Sequence, residues 1–175
     1  MSVGRPFNLL SSRLQFRRFV LGDAPSILAI RNDPNVLQFL PWWSPLRPEE
    51  GWNYVTRQTQ SALGAPNVEC HLAVIERQTS ALIAICYLKV NSSGNQAEIG
   101  LMLGALWRGR GYEQEILRSI GIWAKAGSDG PGVERVTITI DARDTAVLAG
   151  SGAAGFAMVS QGIWAGQFPF YMAAM

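Results

Sequence analysis

The chain has 175 residues, with 15 basic and 13 acidic side chains and a net charge of +2. That length suits one domain with one core, and the charge balance creates no field that would draw in nucleic acid or an anionic membrane surface. One histidine, His71, and two cysteines, Cys70 and Cys86, are too few for a structural zinc site, a histidine-based triad or a disulfide framework. No metal is therefore expected. No run nears the roughly 18 consecutive apolar residues of a membrane span, and a reducing cytosol is the expected setting, so the protein reads as cytoplasmic. The two cysteines fall where a hairpin could set them facing, and they read as small buried residues. His71 reads as a surface or internally satisfied histidine.

RLQFRRF, residues 13–19, alternates apolar and basic side chains and predicts a half-buried strand. Asp23 then caps a helix with Pro25 in its first turn and Ile27, Leu28 and Ile30 on one face, which the Asn32-Asp33-Pro34 run ends. A short helix through Val36, Leu37 and Leu40 leads into PWWSPLRP, residues 41–48, a proline- and aromatic-rich loop. A third helix runs from Glu49 to about Leu63. His71–Glu76 and Ala81–Val90 read as a hairpin, and Ala97–Leu103 adds a third antiparallel strand across the turn NSSGNQ. After Gly111 the spacing of Ile116, Leu117, Ile120 and Trp123 is helical, and SDGPG stops that helix before the strand ERVTITID. A helix over 145–153, the strand GFAMV and the apolar tail FPFYMAAM complete a mixed α/β (α+β) order in a single domain over 1–175.

Chemistry concentrates in EIGLMLGALWRGRGYEQE, residues 98–115. A strand runs into a turn containing Gly109 and Gly111, which can take positive φ and let a ligand approach the backbone. The free amides of the helix that follows point at the same place, and Arg108 and Arg110 add positive charge. Such a turn suits an anion such as a diphosphate. Trp107 reads as a packing anchor for it.

At these residues the chain resembles the GCN5-related N-acetyltransferases (GNAT), and within them the ribosomal-protein alanine N-acetyltransferase branch. The resemblance is carried in order by residues 12–42, SRLQFRRFVLGDAPSILAIRNDPNVLQFLPW, by 97–117, AEIGLMLGALWRGRGYEQEIL, and by 136–156, VTITIDARDTAVLAGSGAAGF. It implies a twisted, mostly antiparallel sheet of about seven strands in which the family's fourth and fifth strands splay apart. An acetyl-CoA co-substrate, or another acyl-CoA, would lay its pantetheine arm along that edge. Leu101, Met102 and Leu103 would bind the arm through their main chain, and Arg108, Gly109, Arg110, Gly111, Tyr112 and Glu113 would surround the diphosphate. Glu98 would serve as the base that deprotonates a primary amine, directly or through water, with Tyr171 a more distant hydroxyl near the leaving thiolate. Trp42 and Trp43 would wall the acceptor pocket, with Trp52 close by.

Three positions depart from the family pattern. Glu113 stands where a small residue is usual, and a carboxylate about 5 Å from a diphosphate costs about 3 kcal/mol at an effective dielectric near 20, before screening. Arg108 and Arg110 could offset that repulsion, or the carboxylate could turn outward. The reading requires the amides around Gly109 to Tyr112 to converge on an outside anion rather than on Glu113. Asp144 and Val147 replace the usual asparagine and serine after the second splayed strand, Asp144 still lying at the coenzyme; Thr145 and Ser151 are the nearby hydroxyls. The expected function is transfer of an acetyl or related acyl group to an amine of a small molecule or protein N-terminus. A fold that binds without catalysing, and a donor carried on an acyl carrier protein, are the alternatives; a homodimer is also left open.

Overall fold

The computed structural model describes residues 7–175. Eight strands form one sheet: β1 (Asn8–Leu10), β2 (Leu14–Arg18), β3 (Glu69–Glu76), β4 (Leu82–Val90), β5 (Gln96–Leu103), β6 (Arg135–Asp141), β7 (Ala157–Trp164) and β8 (Phe168–Ala174). Their spatial order is β1-β2-β3-β4-β5-β6-β8-β7. The count is one more than expected because the three residues of β1 pair with β2 across a tight turn, too short a segment to show alternation of its own. Every neighbouring pair is antiparallel except β5 and β6. A parallel pair needs a long crossover, which here is α4 (Tyr112–Lys125).

The remaining helices are α1 (Ala24–Arg31), α2 (Pro34–Leu37), α3 (Pro48–Thr59) and α5 (Thr145–Ala154). Proline stands in the first turn of α1, α2 and α3, where its missing N–H costs nothing. The helix expected to reach Leu63 stops at Thr59, and the chain turns through Gln60 and Ser61 toward β3.

The period of two along the strands sends alternate side chains to two cores. Ile99, Leu101 and Leu103 of β5 pack with Ile116, Leu117 and Ile120 of α4. Met102 and Ile85 turn to the other face and meet Ile27, Ile30 and Val55 from α1 and α3. In the β3–β4 ladder Cys70 stands opposite Leu88 and Cys86 opposite Leu72, so the hairpin register separates the two thiols. Both are free and buried, and burial pushes the Cys86 thiol up to about 12, which removes it as a nucleophile.

Candidate active site

β5 and β6 pair for four residues, from Gln96 opposite Arg135 to Ile99 opposite Ile138, and then stop. Beyond Ile99 the β6-facing edge of β5 has no ladder partner, so its main-chain groups there are available to an added chain. The two strands wall a crevice with Leu101, Met102, Ile138 and Ile140. Leu103 lies under α4 and does not reach it. The segment after α2 closes over this crevice with Phe39, Trp42 and Trp43. Arg143 Nη2 donates to the Gln38 carbonyl at 2.8 Å, fixing that segment to the end of β6. What remains is about 20 Å³, room for about one water.

The turn between β5 and α4 has the backbone that the sequence requires: Gly109 at φ 71° and Gly111 at φ 77°. Gly111 is the N-cap of α4 and offers no side chain to the helix amides. Among the described residues the N–H groups of Arg110, Gly111, Tyr112 and Glu113 make no hydrogen bond, as an anion-accepting helix start requires. Gly109 is different: its N–H donates to Glu113 Oε1 at 2.8 Å. Glu113 is buried, because α5 crosses α4 so closely at Gly150 that a methyl there would sit 2.6 Å from Glu113 Cβ. The side chain points inward, and its carboxylate occupies one donor of the cradle.

Arg108, expected at the diphosphate, instead forms an ion pair with Asp144 and lies 5.0 Å over the Phe39 ring. Asp144 is the N-cap of α5, accepting from Val147 N–H at 3.2 Å. The pairing joins residues 36 apart in sequence and was not foreseeable from local pattern. Arg110 is left as the exposed cation of the turn, 5.7 Å over Trp107, which packs edge-on against Tyr112 as an anchor should.

Glu98, Gly100 and Met102 share the α1–α3 face of β5. Glu98 Oε1 accepts from the Tyr87 hydroxyl at 3.1 Å. The Tyr87 ring crosses directly over Gly100, where a methyl would meet Cε1 at 1.7 Å. A glycine inside a strand is the local sign of such a close approach, although nothing in the sequence says that Tyr87 makes it. Gly100→Ala is expected to destabilise the fold by about 1–3 kcal/mol through overpacking, lowering the melting temperature by several degrees. Thermal denaturation measures this; an unchanged melting point would mean that Tyr87 does not lie there.

Beyond Tyr87 on the same face, His71 is buried with both ring nitrogens engaged. Nε2 lies 2.7 Å from Glu69 Oε1, and Nδ1 faces the Tyr54 hydroxyl. The Glu69 carboxylate, held below its usual range chiefly by the bond from His71, can only accept. The network thus assigns the proton to Nε2, with Tyr54 donating to Nδ1. Of the two readings of His71 the satisfied one holds. Burial lowers its pKa below 6.5, with Glu69 opposing. Just below pH 6.5 the unfolded chain takes up a proton that the folded chain refuses, so stability should fall as pH drops from there toward the folded value. The slope cannot exceed about 1.4 kcal/mol per pH unit. Urea titrations across this window should show the slope in the parent chain and a flatter line in His71→Gln; a parent chain with no slope contradicts a buried neutral imidazole.

The other expected residues divide. Trp43 packs 6.0 Å from Tyr87 and 5.4 Å from His71, whereas Trp42 meets Trp164 edge-on at 6.2 Å. Trp52 is exposed on α3. Tyr171, on β8 opposite Ile140, lines a separate surface cavity with Gln161, Pro169 and Phe170, and the structure does not bring it to Glu98. Ser151 is buried and donates to the Leu148 carbonyl at 2.8 Å, a structural bond within α5.

A parallel strand pair that diverges above a helix N-terminus defines a class of α/β fold suited to holding an extended, anionic ligand at the sheet edge. Residues 13–157 match the model of the acetyltransferase (GNAT) domain, and the chain belongs to that family. No curated protein matches the sequence. Among solved structures, a GNAT-family acetyltransferase from Bacillus anthracis superposes with a TM-score of 0.80 at 17% identity, over 97% of this chain and 98% of that one. A RimL ribosomal L7/L12 α-N-protein acetyltransferase in complex with coenzyme A gives 0.76 at 14% identity, over 97% of each chain. A spermidine N-acetyltransferase from Vibrio cholerae in complex with coenzyme A and spermine gives 0.77 at 14% identity, over 94% of this chain and 96% of that one. At these identities the likeness is one of fold.

Proposed function

We propose that the protein is an N-acyltransferase that moves an acetyl or related acyl group from a coenzyme A thioester to a primary amine, by direct attack. The observation that carries this reading is the unpaired edge of β5 beyond Ile99 lying next to the unbonded amides of Arg110 to Glu113. Residues Leu101 and Met102 would hold the pantetheine arm through main-chain hydrogen bonds, and the α4 amides with Arg110 would hold the diphosphate. The thioester supplies an electrophilic acyl carbon and a thiolate leaving group. Glu98 would take the proton from the ammonium form of the acceptor; the freed nitrogen bonds to the acyl carbon as the carbon–sulfur bond breaks, and the second proton shed by that nitrogen goes to the departing thiolate. A strand amide near Leu101 or Met102 would donate to the thioester oxygen as it gains charge. Because the crevice is so narrow, the arm must displace Phe39 and Trp42, which would then close over the acceptor, while Trp43 stays packed on Arg31 and His71. Relatives in fold that act on a protein N-terminus and on spermidine support an amine acceptor.

A second reading is favoured by one feature of the cradle. Glu113 occupies the Gly109 amide and Arg108 is committed to Asp144, both of which weaken the diphosphate site. A donor carried on the phosphopantetheine of an acyl carrier protein lacks the adenosine diphosphate portion and escapes that penalty. Thiol release from acetyl-CoA, with a panel of peptide N-termini and polyamines as acceptors, tests the first reading. Release from a carrier-linked acyl group but not from acetyl-CoA would replace it with the second.

A further inference from the structure

Behind Trp43, on the α1–α3 side of the sheet, lies a cavity of about 680 Å³ separate from the crevice, walled by Arg31, Trp43, Tyr54, Arg57, Glu69 and His71. Arg31, the last residue of α1, is only 7% exposed. Its guanidinium is stacked between two rings, 4.3 Å from the centre of Trp43 and 4.7 Å from that of Tyr54. Ring faces attract a cation but accept no strong hydrogen bond. Among the described residues, Arg31 Nε, Arg31 Nη1 and Trp43 Nε1 are buried with no hydrogen-bond partner. All three are donors, so what they lack is an acceptor.

No acceptor of the wall among the described residues meets those three donors. Glu69 takes the His71 Nε2 proton, and Gln58 Oε1 takes the His71 backbone N–H at 3.0 Å. Burial lowers the Arg31 pKa, with Tyr54 and Glu69 opposing. The charges of the wall are Arg31 and Arg57 positive, Glu69 negative and His71 neutral; two minus one leaves a single positive charge. That count suits a monoanion rather than a phosphate dianion. Trp43, Tyr54 and His71 form the aromatic part of the wall, which suits a flat apolar body, beside the polar side chains of Gln58, Gln60, Ser61 and Asn67.

We propose that this cavity is a second ligand site, taking a small molecule with one carboxylate on a flat apolar body, the carboxylate paired with Arg31 and the Trp43 Nε1–H. The site stands apart from the acyl donor, although Trp43 walls both spaces. Its test uses the intact chain, isothermal titration near neutral pH and three probes of one shape: benzoate, benzamide and benzylamine. Benzoate is expected to saturate one site at millimolar concentration or below, with no saturation by the neutral or cationic analogue. Arg31→Met, which keeps most of the stem, should weaken benzoate tenfold or more, and Trp43→Phe, which deletes only the N–H donor, should weaken it severalfold and serves if Arg31→Met does not fold. Coenzyme A should not displace the probe. Equal binding of benzoate and benzamide, no saturation by benzoate at about 20 mM, displacement by coenzyme A, or unchanged affinity in the folded variants overturns the proposal. Failure of acyl transfer would leave these results untouched, because none of them reads turnover.

Discussion

Replacing Glu113 by glutamine is expected to tighten binding of acetyl-CoA by about tenfold to a hundredfold. The carboxylate is buried between α4 and α5 and bonded to the Gly109 N–H, so it sits among the amides that should meet a diphosphate. α5 packs against its Cβ at Gly150. Arg108, the residue that could neutralise it, is paired with Asp144. Glutamine keeps an oxygen for the Gly109 amide and removes the charge, so the gain should come without loss of fold. Because the effect is electrostatic, the difference between the two proteins should shrink in high salt. Titration calorimetry reads both. Equal affinities at low salt would mean that the diphosphate does not approach Glu113, which would favour the carrier-linked donor.

Glu98→Gln should lower turnover by about two to four orders of magnitude, the usual contribution of a positioned base. The glutamine amide can still meet the Tyr87 hydroxyl but cannot take a proton, so KM for the coenzyme should change little while kcat falls. Tyr87→Phe should cost far less, since its hydroxyl orients Glu98 at 3.1 Å rather than taking the proton. The loss in Glu98→Gln should be largest near neutral pH, where the acceptor amine is protonated and needs a base. Rates unchanged across pH would remove Glu98 from the mechanism.

The element order was legible in the sequence because its signals are local. Short apolar runs bounded by turns mark β3, β4 and β5, the helical stripe of Ile116, Leu117 and Ile120 marks α4, and glycines at 109 and 111 mark the turn. The family resemblance supplied the splay, which no periodicity encodes. What stayed hidden depends on contacts between segments far apart in the chain. The Arg108–Asp144 pair, the Tyr54–His71 bond and the stacking of Arg31 on Trp43 and Tyr54 arise only when α1, α2, α3 and α5 are packed on the sheet. Tyr171 misled for the same reason: its hydroxyl type fitted a role, but β8 carries it to another cavity. Glu113 is out of pattern in the sequence, yet its inward bond to the Gly109 amide and its burial appear only once α5 is packed on α4.

The claim on which the functional reading rests is that an acyl donor runs along β5 past Ile99 and ends on the first amides of α4. Backbone amide resonances followed during titration with coenzyme A, in the parent chain and in Glu113→Gln, test it most directly. The account predicts shifts and slowed exchange concentrated at Gly100 to Leu103 and at Arg110 to Gln114, at lower ligand concentration in the variant. Coenzyme at millimolar concentration that leaves those amides unmoved in both proteins, or that moves only residues elsewhere, would contradict it.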